Sequence, residues 1–303
     1  MTSPFGPLVL IANPNAGRGT VSKALPRVER VLTEANLEYR VVLTTHPGHA
    51  TEAVRQALGH GERYLVAVGG DGTVHEVVNG MVCDGEPVAA DAVLGVVAAG
   101  SGCDFARSFG PPDDPAQAAA RLAGDEVRAI DVGTVTCADG DARCFVNIAE
   151  IGLGAAVVAR AANLPRFLGG ARYATGFWLT LPRFRPATVR LDADGQYHAW
   201  RAFNVVVANC RFYGGGMQIS PKSDPGDGRL DILVMTGPKS DSFTTLPKVY
   251  TGSHLPHRNI AELRAGQLSI EAEPGFPVEA DGEMLGVTPA SFGIIPGAIR
   301  LKV

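Results

Sequence analysis

Short runs of Val, Ile and Leu recur through the first 131 residues, each followed by a polar, glycine-rich break and then by apolar residues at helical spacing. "LVLIANP" precedes a helical pattern over 21–35, "YRVVLTT" one over 50–58, "YLVAVGG" one over 73–80 and "AVLGVVAAG" one over 116–122. "VRAIDVG" closes the series. The apolar runs do not alternate with polar residues, which predicts strands buried on both faces, and the helices between them predict a parallel sheet. Ligands of such sheets sit beyond the carboxyl ends of the strands, where "NPNAG", "TTHPG", "GGDGT" and "GSGCD" all fall.

After Asp131 the texture changes. Strand-like runs are separated by turn signals, "DGD" at 139–141, "DADG" at 192–195, "DPGDG" at 224–228 and "ADGE" at 280–283. This predicts an antiparallel β domain with a helical insertion near 154–181. The expected organisation is therefore an α/β domain over 1–131 and a β-rich domain over 132–291.

Composition narrows the class. Hydrophobic residues make up 46% and charged residues 19%, so an ordered core is expected. With 31 acidic against 27 basic side chains the net charge is −4, and no nucleic-acid partner is expected. The five cysteines show no metal-binding spacing, which predicts reduced thiols in a cytoplasmic protein. The start of the chain lacks a signal-type pattern, and no apolar run approaches the ~20 residues of a membrane span.

The chemistry gathers in the loops. "VAVGGDGTVHEVVNG" sets Gly69, Gly70 and Gly72 around Asp71 between a strand and a helix. It is neither a Walker A loop nor a dinucleotide fingerprint. A carboxylate suits a phosphate-cradling loop if Mg²⁺ lies between acid and phosphate; otherwise Asp71 is a capping residue in a plain strand-to-helix turn. "IANPNAGRG" ends a second strand with polar groups and Arg18, a partner for a phosphate or part of an ordinary turn. "AAGSGCDFARSFG" ends a third with Ser101 and Asp104.

Taken in order, "NPNAGRG", "GGDGTVHEVVNG", "AAGSGCDFARSFG", "IDVG", "YGGGMQISPKSDPGDGRLDI" and "VEADGEMLG" resemble the diacylglycerol kinase and sphingosine kinase superfamily, and its soluble bacterial lipid kinases above all. The resemblance spans nearly the whole chain. It implies that 1–131 is a nucleotide-binding catalytic domain of the NAD kinase/phosphofructokinase type, with a parallel sheet on which the last residues, about 292–303, pack back, and that the second domain is an antiparallel β-sandwich. It also implies ATP and Mg²⁺ as cofactors and transfer of the γ-phosphoryl group to a lipid hydroxyl. Diacylglycerol is the first expectation, sphingosine or another long-chain alcohol the second; NAD phosphorylation and a non-catalytic lipid-binding protein are the readings furthest from the motifs.

Carried over by position, the resemblance assigns nucleotide contacts to Asn13, Pro14, Asn15, Ala16, Gly17 and Arg18, to Thr44, to Gly69, Gly70, Asp71, Gly72, Thr73, Val74, His75 and Glu76, and to Ser101. Asp71, Asp104 and Asp131 match an acidic, water-linked Mg²⁺ network. Asp224, Asp227 and the carbonyl of Arg229 match a second, structural metal position; the alternative is a solvated turn without metal. Glu283 in "DGE" matches the catalytic base, which from the residues alone is an exposed hairpin acid. The third loop departs from the family's Thr-Gly-Asn-Asp: Ser101 keeps the hydroxyl, while Cys103 replaces an amide and puts the local loop geometry in question.

Between Ile151 and Leu191 there is no Asp or Glu, yet Arg160, Arg166, Arg172, Arg183, Arg185 and Arg190 interleave with Leu164, Phe167, Leu168, Phe177, Trp178 and Leu179. Such a segment suits the surface of an anionic membrane, peripheral at its inner face, or a helical pair packed on the β domain. A homodimer is compatible with these expectations.

Overall fold

The computed structural model describes residues 3–100, 102–110, 114–138, 140, 142–165, 168 and 171–303. The chain divides into two units, Met1–Val132 with Ile295–Val303, and Gly133–Ile294.

The first unit alternates strands and helices: β1 (Leu8–Ala12), α1 (Thr20–Glu34), β2 (Tyr39–Leu43), α2 (His49–Gly59), β3 (Tyr64–Gly69) and α3 (Asp71–Met81). A short hairpin, β4 (Val82–Cys83) and β5 (Glu86–Pro87), leads to β6 (Val93–Ala98), α4 (Asp104–Arg107), α5 (Pro115–Arg121) and the start of β7 (Val127–Cys137). Strands β2, β1, β3 and β6 lie side by side in that order, all parallel. β1 and β3 are buried along their full length, as unbroken apolar runs require when helices cover both faces of a sheet.

Each long helix turns one apolar stripe inward. Val21, Ala24, Val28 and Leu32 of α1 recur at three- and four-residue spacing, as do Ala50, Ala53, Val54, Ala57 and Leu58 of α2. β2 differs from the expectation that every apolar run is buried on both faces. It is the edge strand of this sheet, and its Leu43 is 49% exposed.

The second unit continues with β8 (Arg143–Phe145), β9 (Ile148–Gly152), α6 (Leu153–Ala162), α7 (Ala171–Thr180), β10 (Ala187–Ala193), β11 (Gln196–Ala202), β12 (Asn204–Ala208), β13 (Leu230–Met235) and α8 (Ser242–Val249). Then come β14 (Ile260–Ala265), β15 (Gln267–Glu273), β16 (Pro277–Ala280), β17 (Glu283–Val287) and β18 (Ala290–Lys302). One antiparallel sheet has the order β14-β13-β12-β9-β16-β17. The other joins β11, β10, β15 and the first residues of β18, again antiparallel. Later in β18, Arg300 and Leu301 pair in parallel with Val93 and Leu94 of β6, within the first unit.

The two sheets of the second unit close on one core. Ala149, Ile151, Val205, Val207, Ile232 and Val234 come from one sheet, Val189, Leu191, Leu268 and Ile270 from the other. β10 alternates buried and exposed positions, the pattern of a sandwich strand with one wet face. β12 does not alternate, because its second face is also covered: Val206 and Ala208 pack with Leu233, Ile219 and Val249 of α8. The expected helical insertion is present as α6 and α7.

Candidate active site

The carboxyl ends of the parallel strands are in register, so their loops leave the sheet together. Asn13 N–H donates to Val68 O (3.3 Å), Thr44 N–H to Ala12 O (2.9 Å) and Ala99 N–H to Gly69 O (2.9 Å). The loops then pack backbone on backbone. A Cβ on Gly100 would stand 2.5 Å from Gly70 Cα, and one on Gly17 would stand 2.9 Å from Ala99 O. A Cβ on Gly69 would meet Thr73 Oγ1 at 2.3 Å, whereas one on Gly72 would meet nothing within 4 Å. Gly69 and Gly100 are thus fixed by packing within the loops, and Gly72 borders open space.

Helix α3 begins at Asp71, two residues before the start expected from the sequence. The N–H groups of Thr73 and Val74 donate to Gly70 O (2.9 and 3.2 Å). Those of Asp71 and Gly72 precede any helical carbonyl within reach and, with the positive end of the helix, suit an anion. Val74 and His75, expected among the nucleotide contacts, are 2% and 4% exposed, their side chains withdrawn into the unit. Glu76 is turned to the neighbouring helix, where its Oε2 accepts from Ala50 N–H (3.1 Å) in the first turn of α2.

Asp71 does not cap its own helix. Its Oδ1 accepts from Phe105 N–H (2.9 Å), so it caps the short α4 across 34 positions of sequence. Its Oδ2 turns toward Gly102, where an added Cβ would lie 2.9 Å from it and 3.5 Å from Asp104 Oδ2. Two carboxylates therefore converge on one glycine beside the glycine loops. Asp104 is 4% exposed and pairs with Arg107 Nε at 3.7 Å. Cys103, between Gly102 and Asp104, occupies the N-cap position of α4 with φ +55° and makes no side-chain capping hydrogen bond of its own. That left-handed backbone suits Asn far better than Cys. The Cys103 thiol points to Gly100 O (3.5 Å), and burial above all, with Asp71 and Asp104 adding to it, pushes its pKa up.

In the first loop Asn13 Oδ1 accepts from Asn15 N–H (3.0 Å), Pro14 O from the Ser22 hydroxyl (3.0 Å) and Gly17 O from the Thr20 hydroxyl (2.6 Å), with Ala16 opening the single helical turn between them. Thr44 is 8% exposed at the end of β2. Ser101 and the side chain of Arg18 lie outside the described residues, as do Arg166 and Phe167 of the acid-free segment.

The other expected metal groups lie in β7 and in the turn before β13. Asp131, 2% exposed in β7, accepts from Gly297 N–H through Oδ1 (2.7 Å) and so ties β7 to β18. Asp227 Oδ1 accepts from Arg229 N–H (3.0 Å), and its Oδ2 pairs with Arg264 Nη2. The guanidinium of Arg264 also reaches Asp231 (3.3 Å), whose carboxyl burial pushes up. The Asp227 charge is thus met by arginine. Among the described residues no three His, Cys, Asp or Glu side chains gather as a metal-binding group.

Glu283 opens β17 and is exposed. The loop before it has two residues, Asp281 (φ +48°) and Gly282 (φ +90°), the left-handed pair of a type I′ hairpin. Both carboxylate oxygens of Asp281 are occupied by backbone: Val146 N–H (2.8 Å) on one, Asn147 (3.0 Å) and Ile148 (3.1 Å) on the other. Glu279, 3% exposed, accepts from Gly282 N–H (2.8 Å). In the strand register Glu279 stands directly opposite Glu150 of β9, which is 4% exposed and accepts from Asn204 Nδ2 (2.9 Å). Burial raises the Glu150 pKa from 4.5 to about 7. Sequence reasoning missed Asp281, Glu279 and Glu150; the signal for Glu150 was a lone acid inside the apolar run "NIAEIG".

Comparison with known proteins agrees with this architecture. Residues 7–135 match the diacylglycerol kinase catalytic domain, and residues 147–303 match the YegS C-terminal NAD kinase beta sandwich-like domain. A protein of Mycobacterium tuberculosis (strain H37Rv) named "Diacylglycerol kinase" is 30% identical over 98% of this chain and 95% of its own. One of Pseudomonas aeruginosa named "Probable lipid kinase YegS-like" is 32% identical over 89% and 86%. The crystal structure of a diacylglycerol kinase from Bacillus anthracis str. Sterne has the same fold, with a TM-score of 0.73 over 99% of this chain and 97% of that one at 23% identity. Both halves of the chain thus carry one family's domains in the family's order, and the protein belongs to the diacylglycerol kinase family of lipid kinases, phosphotransferases that use a nucleotide.

Proposed function

We propose that this lipid kinase transfers the γ-phosphoryl group of ATP to the free hydroxyl of diacylglycerol, giving phosphatidic acid, with Mg²⁺ as the metal. The observation that carries the reading is the convergence of Asp71 and Asp104 on Gly102 beside the open amide end of α3. Amides and a helix N-terminus attract phosphate, two carboxylates repel it, and a hard cation between them satisfies both. Mg²⁺ fits that donor set, since one or two carboxylates, water and phosphate oxygens are what it takes, and when bound it supplies charge neutralisation on the transferring phosphate.

The chain's own groups divide the remaining work. Gly70, Asp71 and Gly72, with the Asn13–Gly17 turn, Thr44 and Ser101, hold the nucleotide. Asp71 and Asp104 face the cation, while Asp131 supports them from β7. Glu283 accepts the proton of the acceptor hydroxyl, a role that asks for exposure and a fixed hairpin. The acceptor is assigned as diacylglycerol because relatives matched over nearly their whole length bear that name.

Incubation with γ-labelled ATP and, separately, dioctanoylglycerol, sphingosine and NAD is the test. Label in the dioctanoylglycerol product is expected; label confined to sphingosine or NAD overturns the assignment. Glu283→Gln should lower turnover by about 100- to 10,000-fold with an unchanged melting temperature.

A further inference from the structure

Helix α7, "ARYATGFWLT", has apolar residues all round and no acid, yet only Gly176 is buried. A helix of that composition normally lies inside a protein. Gly176 seats it on α6, where a Cβ would meet Val157 O at 3.2 Å, and Phe177 packs on Leu153, Val157, Leu181 and Phe203 below. Other large side chains of the helix nevertheless stay bare: Tyr173, Trp178 and Leu179 are 49%, 43% and 38% exposed.

Helix α8 extends the same surface. Phe243, 63% exposed, packs against Trp178 with ring centroids 5.0 Å apart and planes inclined at 33°, and Trp178 meets Phe177 edge-on at 5.1 Å. Tyr250, just past α8, is 56% exposed. Five of the eleven large apolar side chains that the described residues expose thus sit on these two helices or at their ends. The platform is built: Lys239 Nζ, ahead of α8, donates to the carbonyls of Leu181, Pro182 and Phe184 (2.8, 2.9 and 2.9 Å), clipping the chain after α7 to the start of α8.

The charges around the patch choose its partner. Arg183 and Arg185 are exposed just after α7, and Lys248 is exposed on α8. Arg172 spends its guanidinium on the carbonyls of Ala161 and Ala162. The acid on these elements, Asp241, accepts from Asn259 Nδ2 (2.7 Å). Aromatic rings with an amphipathic edge, set among cations and without opposing acids, match the boundary between acyl chains and anionic headgroups.

We propose that α7 and α8 form a docking platform that inserts Trp178 and Phe243 into the interfacial layer of an anionic lipid bilayer, with Arg183, Arg185 and Lys248 on its phosphates. The proposal rests on the lipid-acceptor reading only for its purpose, since the acceptor resides in a bilayer. The platform binds lipid surface whether or not that surface contains substrate.

The test uses the full chain and large unilamellar vesicles of phosphatidylcholine alone or mixed with phosphatidylglycerol, both free of diacylglycerol. Sedimentation should show binding to the anionic vesicles, weakened by salt, with Trp178 emission shifted to the blue in a Trp200→Phe background. The double variant Trp178→Ser/Phe243→Ser should lower the vesicle partition coefficient by about ten-fold or more. Its melting temperature and its phosphorylation of monomeric dihexanoylglycerol should stay unchanged. An unchanged partition coefficient, or equal binding to both vesicle types, overturns the platform, as does a wild-type dimer in light scattering that the double variant dissociates. Vesicle binding without phosphorylation of any lipid overturns the proposed activity and leaves the platform standing; phosphorylation with partition insensitive to the variant does the reverse.

Discussion

Glu150→Gln separates the electrostatic cost of a buried acid from its packing. Glu150 lies inside the second unit across from Glu279, with the Asn204 amide as hydrogen-bond donor. A Cβ on Gly154 would come within 2.2 Å of its Oε2, so helix α6 closes over it. Burial raises its pKa from 4.5 to about 7. In the unfolded chain the group loses its proton near 4.5, and in the folded chain only near 7. Between those values the folded state holds more protons, so stability falls as pH rises, and above the folded value the loss is complete. The shift corresponds to about 3 kcal/mol.

Glutamine keeps the shape and the acceptor for Asn204, and does not ionise. The quantity to measure is the difference in urea-unfolding free energy between Glu150→Gln and the wild type from pH 4.5 to 8.5, because titrations shared by both proteins cancel in it. The variant should gain on the wild type through pH 5–7 and hold a plateau advantage of about 3 kcal/mol above it. A difference curve that is flat, or that falls with pH, refutes the claim that Glu150 is folded with a proton on it.

Gly100→Ala places a Cβ 2.5 Å from Gly70 Cα; overpacking of this kind costs about 1–3 kcal/mol, so the melting temperature should fall and calorimetry should show weaker ATP binding. Cys103→Asn puts a residue that tolerates the left-handed region at φ +55°, and thermal unfolding should report a gain of about 1 kcal/mol. Asp281→Ala leaves the N–H groups of Val146, Asn147 and Ile148 without their acceptor, a loss of about 3 kcal/mol or more in urea unfolding.

Much of the fold was legible because burial on both faces leaves an unbroken apolar run. "LVLIA" and "YLVAVG" read as interior parallel strands and are. "YRVVL" has the same texture but is the edge strand, since place in a sheet depends on pairing partners and not on a strand's own residues. The glycine loops were visible as loops, but their separate duties were not: the clash that reserves Gly100 comes from Gly70, thirty positions earlier. Asp71 was marked by its charge within a glycine loop, but its structural partner was not. Its hydrogen bond to Phe105 is a contact that periodicity cannot encode, and the same holds for Glu150, whose partners Asn204 and Glu279 lie on other strands.

The hairpin before β17 shows why the three letters "DGE" belong together. Gly282 supplies the left-handed backbone that a two-residue turn needs, which fixes the register of β16 and β17 and therefore the position at which Glu283 emerges. Asp281 spends both oxygens on three N–H groups of the chain entering β9, so its charge serves to hold the turn. Glu279 holds Gly282 from below, inside the sheet. The one acid of this group left exposed is Glu283. A general base must be accessible yet held within a fraction of an ångström of its working position, and accessibility usually brings mobility. Here buried and anchored carboxylates hold the turn, and in the proposed mechanism the exposed Glu283 at its end meets the acceptor hydroxyl.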